Sequence, residues 1–290
     1  LVGSEMCIRD RSYAAPARLQ GRAPGASSAG FDGASQWPPP ARHLGAHPTS
    51  PHARLSKGKP MIDLSTWNLS VPTDPRPTEV TTEQIARGYQ SRYFKRNGSQ
   101  LVFWVPVTGS HTSDSVYPRS ELRETTTAGE VANWYYNQGD NELRVTMSVQ
   151  QVPSKNKIII GQIHSRSPYT GDGEPLVKLQ YHYLPTLESG RLEALVRNHP
   201  DDRASINVPL IDNIALDQTF NYSLRVTSVG NLAIRVETSD GRANYYRKIL
   251  STTWSKQLLY FKAGAYINDN YGNSGEGARV TVFHLNMAHR

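Results

Sequence analysis

The chain has little cysteine, no long apolar runs and no helical periodicity, and each lack removes a class of protein. Cys7 is the only cysteine among 290 residues. It lies in the leading segment, so disulfides and thiolate-bound metal are excluded from the rest. No apolar run approaches the ~18 residues that a membrane helix needs, and no membrane partner is expected. No segment carries a long amphipathic helix, and no internal repeat is evident. Excess charge of one sign is also scarce in the body. Residues 1–59 hold eight Lys/Arg and three Asp/Glu, whereas 60–290 hold 24 and 22. Much of the formal charge of +7 therefore comes from the leading segment, and the high pI is no ground for expecting nucleic acid.

Residues 1–59 are rich in Ala, Pro, Gly, Ser and Arg and show no sustained period of 2 or 3.6. They are expected to be disordered, or a leader not native to the fold. No charged region followed by an apolar one marks a signal peptide there. From about Pro60 the character changes. Apolar alternation or continuous apolar runs recur at 63–71, 101–107, 142–152, 157–164, 176–183, 191–197, 220–228, 232–238, 243–249, 258–267 and 279–287. Turn signals separate them: Asn97-Gly98, Val229-Gly230-Asn231 and Asp240-Gly241. Thr81 or Thr82 could cap one short helix. Many short strands with regular turns predict one all-β domain over 60–290, a jelly-roll β-sandwich of two antiparallel sheets.

Three strands carry polar rows. In Tyr117-Pro118-Arg119-Ser120-Glu121-Leu122-Arg123-Glu124, alternation places Arg119, Glu121 and Arg123 on one face and Ser120, Leu122 and Glu124 on the other. Two arginines around a carboxylate suit a substrate with carboxylates or phosphates. In the second strand, Ile158, Ile160, Gln162 and His164 are expected on one face, with Ile159, Gly161 and Ile163 opposite. In the third, Tyr260, Lys262, Gly264, Tyr266 and Asn268 share a face, and Phe261, Ala263, Ala265 and Ile267 pack the other way. Gly264 is read as leaving room for a ligand. Each row alone has a plain alternative as a solvated strand face. Together they supply Arg, Gln, His, Lys and Tyr, a full set for moving a proton beside an anion.

Three phrases, Arg119-Ser-Glu-Leu-Arg123, Gln162-Ile-His164 and Tyr260-Phe-Lys-Ala-Gly-Ala-Tyr266, resemble in order and spacing the signature motifs of the alginate lyases of polysaccharide lyase family 7. The Phe-Trp-Val-Pro-Val-Thr run at 103–108 fits the same pattern. The resemblance covers about 60–290 and implies a jelly roll whose concave sheet forms a groove for an anionic polysaccharide. Asn268 stands where the family pattern usually has Gln, and keeps the amide on a shorter side chain.

The resemblance implies β-elimination on a 1,4-linked polyuronate. Three tasks follow: neutralise the uronate carboxylate, remove the C5 proton beside it, and protonate the departing O4. Arg119 and Gln162 match the neutralising pair, and His164 and Tyr266 the proton-transfer residues. Arg119 and Lys262 nearby would favour the Tyr266 phenolate. On mannuronate Tyr266 would serve as base and acid. On guluronate, where proton and leaving group lie on opposite sides, His164 would be the base. Glu121, Arg123, Lys262, Tyr260 and Asn268 are expected to bind substrate or order the site. Ile163 is expected to point away from the groove, and within the family that the motifs resemble, an Ile at this place tends to accompany acceptance of guluronate-containing blocks.

No cofactor or metal is expected, since His111, His182, His199 and His284 are scattered. A glycoside hydrolase would need two carboxyls facing one bond. Glu121 and Glu124 point to opposite faces, and arginines flank Glu121, so this rival is weak. A non-catalytic polyuronate-binding module is the stronger rival. Loops at 165–175, 198–206 and 268–278 are expected to wall the groove. A monomer acting outside the cytoplasm, secreted or periplasmic, is expected from the size of the polymer.

Overall fold

A computed structural model describes residues 61–113 and 115–290, and among them the apolar–polar alternation is realised as fifteen strands. The expected leader at 1–59, with Cys7, lies outside the described residues. In chain order the elements are β1 (Trp67–Val71), β2 (Thr78–Val80), a short helix α1 (Thr82–Ala86), β3 (Phe94–Asn97), β4 (Gln100–Pro106), β5 (Arg119–Glu124), β6 (Asn141–Gln151), β7 (Lys157–Arg166) and β8 (Val177–Leu184). Then follow β9 (Ser189–Val196), β10 (Ile206–Ile214), β11 (Phe220–Val226), β12 (Asn231–Thr238), β13 (Ala243–Ile249), β14 (Leu258–Ile267) and β15 (Gly277–His289).

They form an eight-stranded sheet, ordered β10-β9-β8-β7-β14-β5-β1-β2, and a seven-stranded sheet, ordered β13-β12-β11-β6-β15-β4-β3. Every pairing in both is antiparallel. This is the predicted jelly-roll sandwich. The inner faces meet in one apolar core, in which Leu122, Ile163 and Phe261 of the first sheet are sealed together with Phe103, Val145 and Leu224 of the second. Each such side chain contributes about 1.5–3 kcal/mol by leaving water. Cross-sheet polar bonds are few. One is the Tyr222 hydroxyl, which donates to the Ile160 carbonyl at 2.8 Å.

Local signals act as their chemistry predicts. Thr81 caps α1 in a capping box, its side chain accepting from Gln84 N while Gln84 answers on the Thr81 N–H. Gly98, Gly230 and Gly241 take the left-handed conformation at their turns. Three strands were not foreseen, among them β3, a four-residue edge of the seven-stranded sheet. β10 carries Pro209 in an irregular apolar pattern, and it is found at a sheet edge, where a missing N–H does no harm. β2 is a three-residue edge at the opposite side.

The face assignment in β7 needs correction. Against β8, β7 runs from Ile159 to Gly161 while its partner advances by a single residue, from Gln180 to Leu179. This bulge shifts the alternation by one place. Ile158 and Ile160 therefore point into the core with Ile163, and do not share a face with Gln162 and His164. A Cβ on Gly161 would lie 2.4 Å from the Tyr222 hydroxyl, so this glycine faces the core as well. Gly264 is also corrected. Its φ is +139°, and a Cβ there would sit 2.6 Å from Ser120 O on β5. Glycine is needed there for the backbone, not to admit a ligand.

Candidate active site

The sheet order β7-β14-β5 makes the three polar strands immediate neighbours. Their registers then set which side chains meet. Arg119 lies opposite Tyr266 and Arg123 opposite Lys262. Lys262 also lies opposite Gln162, and Tyr260 opposite His164. The residues between them, Leu122, Ile163, Phe261, Ala263 and Ala265, belong to the core. The polar rows are thus driven to the outer face of the eight-stranded sheet. Arg119, Gln162, His164 and Tyr266 come from these three neighbouring strands and lie on that face.

Glu121 anchors the cluster. It is 1% exposed and receives Gln162 Nε2, Lys262 Nζ at 2.5 Å and Arg119 Nη1 at 3.5 Å. With three donors on its oxygens, Glu121 orders the site, one of the two roles expected of it. It sets the positions of those donors. Gln162 is itself 1% exposed, and with one amide hydrogen on Glu121 it retains one more. Burial pushes Lys262 down to about 8, against the pull of Glu121, so it is mostly charged at neutral pH.

His164 stacks on Tyr260, ring centres 5.1 Å apart and 17° from parallel. Its Nδ1 lies 2.9 Å from the Ser165 carbonyl, which can only accept. Nδ1 therefore carries the hydrogen and Nε2 keeps its lone pair. Burial pushes the imidazole down to about 3, and the Lys262 charge adds to this. At neutral pH His164 is a neutral ring with a free acceptor, the form a general base requires.

The Arg119 guanidinium lies 4.2 Å over the Tyr266 ring, and the Tyr266 hydroxyl is 3.2 Å from Ser115 Oγ. Arg123 lies 3.9 Å over the Tyr260 ring, and its fork is taken up by Glu124 O, Ala132 O and Asn133 Oδ1. It braces Tyr260 and the segment at 132–133. Burial raises the Tyr260 phenol above its ordinary range, although Arg123 opposes this. Asn268 follows β14 on the Tyr266 side, and its buried Oδ1 has no partner among the described residues.

Glu124 belongs to a different environment. It accepts from Trp134 Nε1 at 3.0 Å and from the Phe261 N–H at 2.9 Å, and His289 Nε2 lies 3.0 Å from its other oxygen. Neither carboxylate of β5 is open to a substrate, so the paired-carboxyl chemistry of a glycosidase has no basis on this strand. Among the described residues no three His, Cys, Asp or Glu side chains gather as a metal site. A separate hollow on the outer face of the other sheet is lined by Arg144, Thr146, Asn221, Arg235 and His284. Its arginines are paired with Glu142 and Glu237.

Two residues of the site were not singled out in the sequence. Ser115 sits in an irregular loop, where no periodicity marks a side chain. Lys178 stands on β8 between the core residues Val177 and Leu179, so the alternation alone places it on the polar face.

The alginate lyase family model matches residues 62–289. A solved alginate lyase from Pseudomonas aeruginosa is 44% identical, with a TM-score of 0.74, covering 79% of this chain and 100% of its own. A family 7 alginate lyase, A1-II′, solved in complex with product (GGG), is 29% identical with a TM-score of 0.68, covering 79% and 97%. A curated alginate lyase of Klebsiella pneumoniae is 26% identical over 284 residues, 79% of this chain and 90% of its own length. The chain belongs to the alginate lyase family.

Proposed function

We propose that this chain cleaves 1,4-linked alginate by β-elimination at the cluster on β5, β7 and β14, with Arg119, Gln162, His164 and Tyr266 in the working roles. The observation that carries the reading is the neutral His164, with Nε2 free, on the same sheet face as the Arg119-capped Tyr266. A solved A1-II′ variant holds a substrate, GGMG, which supports an oligomeric uronate as the ligand class here.

The uronate carboxylate takes hydrogen bonds from Arg119 and from the remaining amide hydrogen of Gln162. Charge that develops on that carboxylate is thereby stabilised. On guluronate, His164 Nε2 accepts the C5 proton. The C–H electron pair moves onto the carboxylate and then forms the C4–C5 double bond as the C4–O4 bond breaks. Tyr266 gives its hydroxyl proton to O4. On mannuronate, the Tyr266 phenolate takes the proton and returns it to O4. Lys262, held against Glu121, keeps positive charge beside the reacting acid. The product is an unsaturated uronate at a new chain end. The polymer is too large to enter a cell, so we place the action outside the cytoplasm, by a monomer.

The test is the ultraviolet absorbance of the unsaturated product. Wild type should raise it on alginate, and Tyr266→Phe should lose roughly 10²–10⁴ in kcat while binding the polymer with nearly the wild-type Kd. Binding without any absorbance from wild type would favour the non-catalytic module and sink the lyase reading.

A further inference from the structure

Lys178 differs from the other enclosed cations on the outer face of the eight-stranded sheet. Lys262 and Arg119 rest on Glu121, Arg197 on Glu174, and Arg123 on two carbonyls and Asn133. Lys178 is half-buried, and among the described residues no carboxylate lies within ion-pair distance of it. Burial is also the main influence on its ammonium, lowering its affinity for the proton against the pull of Glu174, which lies beyond ion-pair distance and is itself taken up by Arg197. Enclosing a charge without a partner costs free energy, so such a group is best explained by a ligand that supplies the partner.

Its position says which ligand group. Lys178 is in register with Gln162, Gln162 with Lys262, and Lys262 with Arg123. These four donors form a file that crosses β8, β7, β14 and β5 at right angles to the strands. Neighbouring strands are about 4.8 Å apart, comparable to the length of one sugar ring. Three strand spacings, about 14 Å, separate Lys178 on β8 from Arg119 on β5, and Gln162 stands between them, so a carboxylate shared by Arg119 and Gln162 leaves Lys178 to the next acid group along.

We propose that Lys178 binds a second carboxylate of the polyuronate, that of the sugar next to the one losing its C5 proton. This rests on the polyuronate reading above. It makes the site a reader of two consecutive acid groups. A chain with a neutral sugar at the neighbouring place loses this contact.

Binding separates this from the lyase reading. Calorimetric Kd values for a mannuronate tetramer are compared in the Tyr266→Phe background with and without Lys178→Met. The second substitution should weaken binding about tenfold at low salt, and the gap should narrow at high salt as screening grows. Lys178→Arg should restore most of the affinity. A parent-like Kd in Lys178→Met overturns the proposal, as does an equal loss in Lys178→Arg. Lys178→Gln guards against a folding defect: it should melt with the parent and still bind several-fold more weakly, and parent-like binding in it also overturns the proposal. Missing ultraviolet absorbance from wild type would sink the lyase reading while leaving this binding comparison intact.

Discussion

Glu121 carries a charge that solvent does not reach, and three neighbours hold it there. Removing it strands Lys262, itself only 9% exposed at the side chain, without its counter-charge. Glu121→Ala should therefore cost about 3–5 kcal/mol, the range for breaking one side of a buried pair, and urea unfolding measures it. Activity should fall with it, because Arg119 and Gln162 lose their common anchor. The two shifted groups set the pH response. His164 is neutral above about 3, so kcat/KM should show no protonation limb near the ordinary histidine value. Lys262 loses its proton as pH rises through about 8, and with it the positive charge beside the uronate. An alkaline limb of kcat/KM near that pH is the expected outcome, and initial rates from pH 4 to 10 test both sides. The residue types were legible in the sequence, because arginine, glutamine, histidine and tyrosine stand at alternate places in three short phrases. That Lys262 and Gln162 both converge on Glu121 was not legible, since it depends on the pairing of strands that are far apart in the chain.

Strand β7 shows where alternation fails. Three isoleucines precede Gly161, and a strict period of 2 puts two of them beside Gln162 and His164. The bulge at 160–161 sends those two into the core and leaves Gln162 and His164 outside. Gly161 permits this because Tyr222 lies directly above it. Gly161→Ala should force the Tyr222 ring aside and break its bond to Ile160 O, at about 1–3 kcal/mol for the overpacking alone. Thermal melting would register the loss, and turnover should drop because Gln162 is the next residue. In β14 the alternation survives, and the glycine at 264 answers to the neighbouring backbone of β5. A sequence shows that a glycine is present. Whether it makes room for a ligand, a ring or a strand is decided by what packs against it.

The two sheets take their strands alternately from distant parts of the chain, as when β15 closes between β4 and β6. All fifteen strands and the family match fall within 62–289. A chain of residues 61–290 should accordingly keep the melting temperature and the specific activity of the full chain, and a clear loss of either would give the leading segment a part in the fold. The all-β class, the strand count to within three edge strands, and the residue types of the site could be read from alternation, turn residues and three motifs. Those signals are local, because side-chain direction and turn geometry depend on a few consecutive residues. The placement of β10 at an edge, the phase of β7, the sealing of Glu121 and the unpartnered Lys178 required the folded sheets. Register between strands is set by the packing of both faces at once, and that information is spread over the whole chain.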